Sequence, residues 1–257
     1  MLLCVDIGNT NIVVGVYRGD ELLTHWRLST DYDKMPDEYG LMILGLLEHS
    51  GLRVQEIEGV IVASVVPPVT NLFAEMVDHY LHLKPLIVGT GVKTGVAIRY
   101  ESPRDVGADR VVNAAAAYRL YGGPACVVDF GTATTFDALS ASGEYLGGAI
   151  APGIYIGADA LFKRTAKLPP VDLQRPGRAI GTNTMDALRS GILFGYVGLT
   201  EGMIARFRAE LGPEMRVIAT GGLAEVIAAE TDQIQHIDPW LTLKGLRMIW
   251  EMNEGAR

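Results

Sequence analysis

One motif occurs twice in this chain. Residues 4–11 are CVDIGNTN and residues 127–134 are VVDFGTAT, in both cases an apolar run that ends in Asp-x-Gly with hydroxyl or amide side chains after it. The apolar run predicts a strand that carries the Asp to its end, and the Gly lets the backbone turn close to a ligand. Freed backbone N–H groups, with Thr and Asn side chains, donate to phosphate oxygens. A chain that builds this loop twice is expected to bind phosphate with both copies, and the Asp, which repels phosphate, implies a cation.

The repeat continues beyond the loop. Each copy is followed by an alternating apolar run, a Gly-containing turn (residues 18–20 and 140–143) and a second run, which predicts a hairpin. Internal duplication is more diagnostic than a single motif. We therefore predict two domains, residues 1–115 with the first loop and residues 116–257 with the second. A predicted terminal helix over residues 243–253 is the element that could cross back to the first domain.

Helical and strand patterns alternate along the rest of the chain. Pro36 and two following acids predict a helix that runs to His49, residues 59–65 and 85–88 predict strands, and a helical pattern follows Pro67. In the second half, residues 186–211 predict a helix and residues 215–219 a buried strand. This order predicts an α/β fold in which each domain has a mixed sheet flanked by helices.

Composition excludes several classes of protein. The chain has 257 residues with 49% hydrophobic side chains, enough for a core in each half. Its net charge of −8, with no block of Lys or Arg longer than two, argues against a nucleic-acid partner. No apolar run reaches the roughly 20 residues of a membrane span, and no basic region precedes the first apolar stretch, so we expect a cytoplasmic protein without a membrane partner. Cys4 and Cys126 lie in apolar strands and are expected to be buried core residues.

A third candidate element is Thr220-Gly221-Gly222, which follows the predicted strand and precedes a helix. Because Gly221 and Gly222 have no side chains, their backbone can approach a flat or phosphorylated ligand closely. The N-terminus of the following helix favours negative charge. Strand-to-helix turns often contain Gly for packing alone. The position downstream of the second loop favours the nucleotide interpretation, and we assign Gly221 and Gly222 to ATP.

A fourth element is Gly107-Ala108-Asp109-Arg110 at the start of an alanine-rich helix. Asp109 there complements the helix dipole, or it accepts the proton of an alcohol while Arg110 orients the acceptor. The five His residues show no clustering of the kind that binds metal, and Ser64 lacks the Gly-x-Ser-x-Gly context of a hydrolase.

The order of these motifs, with Pro152-Gly153 between the second loop and Thr220, resembles the type III pantothenate kinases along the whole chain. The resemblance implies the duplicated, ribonuclease H-like fold of the actin-like ATPases and sugar kinases. It also implies ATP-dependent phosphorylation of pantothenate to phosphopantothenate, the first step of coenzyme A synthesis, by a homodimer that needs K⁺ or NH₄⁺. Residues 190–202 carry more apolar side chains than one helix face buries, which supports a dimer, although a helix internal to its own domain explains them equally well.

The resemblance also assigns roles to residues. Asp109 is the catalytic base, Thr132 contacts the nucleotide, and Asp129 holds the monovalent cation. Magnesium is expected near Asp6, where it neutralises the phosphates. The remaining ATP residues form the first loop: Asp6, Ile7, Gly8, Asn9, Thr10, Asn11, Ile12 and Val13. The pantothenate residues are Tyr100, Gly107, Ala108, Asp109, Arg110 and Thr184.

The residues alone leave alternatives open. Without the resemblance they indicate a phosphotransferase or ATPase of duplicated fold, and another small-alcohol kinase fits as well. Members of similar families act as transcriptional accessory factors without catalysis. A chaperone-type ATPase is less compatible, since the chain has no room for a substrate domain.

Overall fold

The computed structural model describes residues 1–254, which form two compact units. Unit 1 comprises residues 1–96, 101–116 and 241–254, and unit 2 comprises residues 97–100 and 117–240. The terminal helix therefore belongs to unit 1. Because the units interleave along the chain, whereas the predicted domains are continuous, the domain boundary at residue 115 stays a prediction.

The elements follow the predicted alternation. The strands are β1 (Leu2–Ile7), β2 (Asn11–Arg18), β3 (Glu21–Ser29), β4 (Gly59–Ser64), β5 (Leu86–Ile87), β6 (Ala97–Ile98), β7 (Ala125–Phe130), β8 (Ala133–Leu139), β9 (Glu144–Pro152), β10 (Arg216–Thr220) and β11 (His236–Ile237). The α-helices are α1 (Pro36–His49), α2 (Pro67–Met76), α3 (Ala108–Tyr121), α4 (Ile154–Arg164), α5 (Thr184–Leu211), α6 (Ala224–Ala228) and α7 (Leu241–Glu254).

The two sheets repeat one topology. Unit 1 has the strand order β3-β2-β1-β4-β5, with β1 antiparallel to β2 and parallel to β4. Unit 2 has the order β11-β10-β7-β8-β9-β6, with β7 antiparallel to β8 and parallel to β10. Strands β7, β8, β9, β10 and β11 therefore correspond to β1, β2, β3, β4 and β5, and β6 is an added edge strand. The predicted duplicated α/β fold with two mixed sheets is confirmed.

Each unit has its own hydrophobic core. In unit 1, Leu3, Val5 and Ile7 alternate along β1 and pack in one cluster with Tyr39 and Ile43 of α1. The period of two on the strand and the spacing of four on the helix each place one apolar face toward the core. In unit 2, a second cluster joins alternate residues of β7 to α4 and α5.

Helix α4 is an element that the sequence patterns did not predict. Gly153 is its N-cap residue, and the polar side chain that usually marks a helix start is therefore missing. Cys4 and Cys126 are buried free thiols, as predicted, and burial raises the pKa of both, so they remain protonated. Among residues 1–254, no helix combines the length and apolar character that crossing a membrane requires.

Candidate active site

The first loop connects β1 to β2 in unit 1. Its turn is closed by the Gly8 N–H, which donates to the Asn11 carbonyl at 3.0 Å, and a methyl group at Gly8 would lie 3.1 Å from that oxygen. Thr30 fixes the loop from the end of β3, since its hydroxyl donates to the Gly8 carbonyl at 2.6 Å. Asn9 and Thr10 are exposed at the tip. The loop therefore presents amide and hydroxyl groups on a turn where a side chain at Gly8 would be crowded.

Two of the predicted ATP residues cannot use their side chains. Ile7 and Ile12 are 0% exposed and belong to the core of unit 1, where they pair across β1 and β2. Any contact of these two residues with ATP is therefore made by backbone groups. Asp6 and Val13, which also pair with each other, are partly buried.

Asp109 lies at the first turn of α3 in unit 1. Its Oδ1 accepts the Arg110 backbone N–H at 2.8 Å, and the Gly107 carbonyl accepts the Val111 N–H, which makes Gly107 the residue that opens the helix. Arg110 is only 9% exposed. Burial raises the pKa of Asp109 above its ordinary value, while the Arg110 backbone N–H and positive charge act in the opposite direction. A partly buried carboxylate with a raised pKa is suited to general-base work.

Gly107 brings the start of α3 close to the carboxyl edge of the unit 1 sheet. A methyl group at Gly107 would lie 2.5 Å from Asp109 Oδ1 and 3.3 Å from Val65 Cγ1. Val65 follows β4, and its N–H donates to the Ile7 carbonyl at 3.1 Å. The start of α3 is thus connected through Val65 to the carboxyl edge of the sheet that carries the first loop. This close approach explains why the residue two positions before Asp109 is Gly.

The second loop lies at the carboxyl edge of the unit 2 sheet. Asp129 of β7 faces Thr135 of β8 and Thr220 of β10 in the strand register. A methyl group at Gly221 would lie 2.5 Å from Asp129 Oδ1 and 2.7 Å from the Phe130 backbone, and Gly221 has φ +90°. Carboxyl ends of parallel strands are where α/β proteins bind ligands. The structure therefore brings the predicted nucleotide turn directly against the predicted cation carboxylate.

Pro152 and Gly153 complete this edge. A methyl group at Gly153 would lie 2.1 Å from the Thr132 carbonyl oxygen, so the backbone packs closely on the second loop. The Tyr196 hydroxyl of α5 donates to the Pro152 and Gly153 carbonyls, at 3.1 Å each. Thr220 belongs to a predicted candidate element, but its position opposite Asp129 was not predicted. The contact of Tyr196 was not predicted either, because Tyr196 comes from a helix distant in the chain and gives no sequence signal.

The other predicted substrate residues belong to unit 2. Tyr100 follows β6 and its side chain is 40% exposed. Thr184 is the exposed first residue of α5, and the Asn183 side chain caps that helix by accepting the Asp186 N–H at 2.9 Å. The helix after Gly221 and Gly222 is only five residues long, so its dipole favours an anion less than the sequence pattern predicted.

The oxygen groups present fit the predicted cations. Within residues 1–254, no three His, Cys, Asp or Glu side chains are grouped as a dedicated metal cage. Magnesium bound to a nucleotide needs only one or two protein carboxylates besides phosphate and water, which Asp6 beside an exposed Asn and Thr can supply. Asp129 faces Thr135 and Thr220 in the strand register, and a carboxylate beside threonine side chains offers the oxygen ligands that a hard monovalent cation takes.

A cavity of about 520 Å³ in unit 1 lies apart from these residues. It is lined by Leu2, Tyr17, Gly59, Arg247 and Trp250, among others. Leu2 and Gly59 begin β1 and β4, whereas Asp6 is near the other end of β1. This cavity is therefore not the phosphate site of unit 1.

Known proteins resemble this chain over most of its length. The model of the family described as type III pantothenate kinase matches residues 2–206. The chain is 56% identical to a type III pantothenate kinase of Moorella thermoacetica, covering 98% of this chain and 100% of that protein. It is 53% identical to one of Geobacillus kaustophilus, covering 98% of both chains.

Solved structures share the fold at low identity. Component A of the (R)-2-hydroxyglutaryl-CoA dehydratase of Acidaminococcus fermentans has a TM-score of 0.53 at 12% identity, over 100% of this chain and 99% of that one. The ethanolamine utilization protein EutJ of Carboxydothermus hydrogenoformans has a TM-score of 0.54 at 14% identity, over 96% of this chain and 89% of that one. These likenesses concern the fold alone, because proteins of one fold perform different reactions.

Proposed function

The chain belongs to the type III pantothenate kinase family, and from that premise we propose that it transfers the γ-phosphoryl group of ATP to the primary hydroxyl of pantothenate. Family membership supplies the substrate. The observation that carries the chemistry is Asp109, a partly buried carboxylate with a raised pKa at the edge of the sheet that bears the first loop. We also propose that the protein works in the cytoplasm.

The residues of unit 1 take two roles in this reaction. Asp109 receives the proton of the pantothenate hydroxyl. Gly107, Ala108 and Arg110 also contact pantothenate. The first loop donates backbone and side-chain hydrogen bonds to the ATP phosphates. Phosphoryl transfer requires mainly positioning and charge stabilisation. A base for the acceptor hydroxyl and a loop that donates hydrogen bonds to the phosphates are suited to both requirements.

The residues of unit 2 hold the nucleotide and a cation. Thr132, Gly221 and Gly222 contact ATP, while Tyr100 and Thr184 contact pantothenate. Asp6 would hold Mg²⁺ and Asp129 would hold K⁺ or NH₄⁺. When bound, these cations offset the negative charge of the phosphates, for which the second loop has no lysine of the P-loop kind.

We predict that turnover depends on potassium. Replacing K⁺ by Na⁺ at constant ionic strength should lower turnover strongly, and NH₄⁺, which is close to K⁺ in size, should restore part of it. Asp129→Ala should reduce turnover by about tenfold or more and remove the difference between the salts. If Asp129 only stabilises its own turn, the variant will lose stability and keep the cation preference. Equal wild-type rates in Na⁺ and K⁺ would eliminate the site.

Support for a homodimer comes from surfaces of unit 2. The apolar side chains of residues 190–202 pack in or against the core of their own unit, so they give the dimer no independent support. Gly191, Gly195 and Gly198, however, form an exposed face of α5, and a methyl group at any of them would meet nothing within 4 Å. Unit 2 also exposes large apolar side chains outside α5: Ile150, Tyr155, Ile156, Leu161 and Ile180. Exposed apolar surface of this kind favours association.

We predict that Gly195→Arg converts an active dimer to a monomer, because a long charged side chain would prevent a second helix from approaching α5. Light scattering at assay concentration measures the mass. Gly45→Arg is the matched control, since Gly45 is also exposed in a helix and a methyl group there would meet nothing within 4 Å. A fully active wild-type monomer would refute the dimer.

The acceptor specificity tests the proposed function. ADP release should rise many-fold when pantothenate is added to protein with ATP, Mg²⁺ and K⁺, and should stay at the basal rate with glycerol or a hexose. Stimulation by another small alcohol and not by pantothenate would favour the other-kinase alternative. The transcriptional alternative is not favoured, because the relatives that match 98% of the chain are named as kinases.

A further inference from the structure

Unit 2 contains a buried carboxylate that the proposed reaction does not use. Asp137 of β8 and Tyr145 of β9 are both 0% exposed, and the Tyr145 hydroxyl donates to Asp137 Oδ1 at 2.8 Å. The Thr135 hydroxyl donates to the other carboxylate oxygen at 3.1 Å. A buried carboxylate is costly unless such donors compensate it, and an apolar pair of similar volume would avoid that cost. The hydrogen bonds of Asp137 therefore indicate a role beyond filling the core.

One end of this network lies beside the second loop. Thr135 is directly opposite Asp129 in the register of β7 and β8, and Asp137 is opposite Val127. Side chains of directly opposite residues lie on the same face of a sheet. Asp137 is thus attached through Thr135 to the position that faces the proposed cation carboxylate.

The other end supports Tyr100. The Arg99 N–H donates to the Tyr145 carbonyl at 2.8 Å, which fastens the end of β6 to β9. The rings of Tyr100 and Tyr145 have centroids 6.4 Å apart, and a methyl group at Gly147 would lie 3.5 Å from the Tyr100 ring. Tyr145 is buried whereas Tyr100 is 40% exposed. Tyr145 is accordingly the fixed support beneath an exposed ring.

We propose that Asp137 is a positioning residue for the acceptor substrate. By holding the Tyr145 hydroxyl, it fixes the ring on which Tyr100 rests, and through Thr135 it joins that support to the second loop. A fully satisfied buried network of this kind makes its surroundings rigid. The proposal rests on the proposed function, because it takes Tyr100 as a pantothenate contact.

Steady-state kinetics of Tyr145→Phe and Asp137→Asn test this role. Tyr145→Phe keeps the ring and removes the hydroxyl, so KM for pantothenate should rise about tenfold, equivalent to about 1.4 kcal/mol, while KM for ATP stays unchanged. The matched control is Tyr121→Phe, which also removes a tyrosine hydroxyl that donates to a carboxylate, Asp238 at 3.1 Å. Tyr121 stacks on His236 of β11, the strand at the opposite edge of the sheet from β6, so both KM values should be retained.

The outcomes separate this proposal from the proposed function. An unchanged pantothenate KM in folded Tyr145→Phe, or an equal rise in both KM values, overturns the positioning role and leaves the kinase intact. If Asp137→Asn does not fold, Tyr145→Phe decides alone. If the wild type does not phosphorylate pantothenate, the proposed function fails. Hydrogen exchange of the Arg99 amide then tests whether the Tyr145 hydroxyl makes this region rigid. Faster exchange in Tyr145→Phe supports the network, and equal exchange overturns it.

Discussion

Asp109→Asn should lower turnover by about 100-fold or more, the usual scale for loss of a general base. The amide retains the size of the side chain, and its oxygen can still accept the Arg110 N–H that Asp109 Oδ1 now accepts. The helix start is therefore preserved, and ATP binding, measured by calorimetry, should persist. The effect falls on the proton transfer and not on the fold.

The pH profile provides a second readout of the same residue. Because burial raises the pKa of Asp109, the ionised base is lost on acidification at a higher pH than for an ordinary aspartate. The acid limb of kcat/KM should therefore lie above the normal range of aspartate titration. The residual rate of Asp109→Asn should lack that limb.

Asp105→Asn is the matched control for this variant. Asp105 lies four positions earlier in an exposed turn and carries the same charge change. Its turnover should equal that of the wild type. If Asp109 serves only the helix dipole, Asp109→Asn will melt at a lower temperature with near wild-type turnover, and the base assignment is then wrong.

Gly221→Ala should cost about 3 kcal/mol or more of unfolding free energy and most of the turnover. Two effects combine at this position. A residue with φ +90° is strained when it has a Cβ, and that Cβ would lie 2.5 Å from Asp129 Oδ1 and 2.7 Å from the Phe130 backbone. Since backbone cannot give way locally, the second loop must move, and the carboxylate proposed for the cation moves with it.

Gly212→Ala separates strain from displacement. Gly212 ends α5 with φ +98°, but a methyl group there meets nothing within 4 Å. It should lose only the conformational cost, about 1–3 kcal/mol, and keep its turnover and potassium preference. Thermal unfolding and turnover measured on both variants make the comparison. Equal losses of activity in the two would show that Gly221 has no special relation to the second loop.

The duplicated fold could be predicted because its signals are local. The two Asp-Gly loops, their hairpins and the alternation of later elements are each contained in short segments with a clear period. The repeat predicted that the two halves share one fold, and the matching order of five strands in the two sheets confirms this prediction. Gly107 before Asp109 was also visible, although only the structure shows that the Asp109 carboxylate occupies the space of its missing side chain.

The details around the sites depend on pairing that a single sequence does not specify. Tyr100 approaches Tyr145 because β6, with only two residues, joins the edge of β9. A two-residue strand has no periodicity to detect. Likewise, Thr220 lies opposite Asp129 through parallel pairing of strands that are far apart in the chain. Helix α4 was not predicted because its N-cap residue, Gly153, is a glycine and a second glycine, Gly157, lies within the helix.

Direct detection of the product is the most decisive measurement. Purified protein is incubated with ATP, Mg²⁺, K⁺ and pantothenate, and the mixture is separated and analysed by mass. We predict phosphopantothenate and ADP in equal amounts, and about 100-fold less of both with Asp109→Asn over the same time. ADP without phosphopantothenate would contradict the proposed kinase and would indicate an ATPase whose acceptor is water.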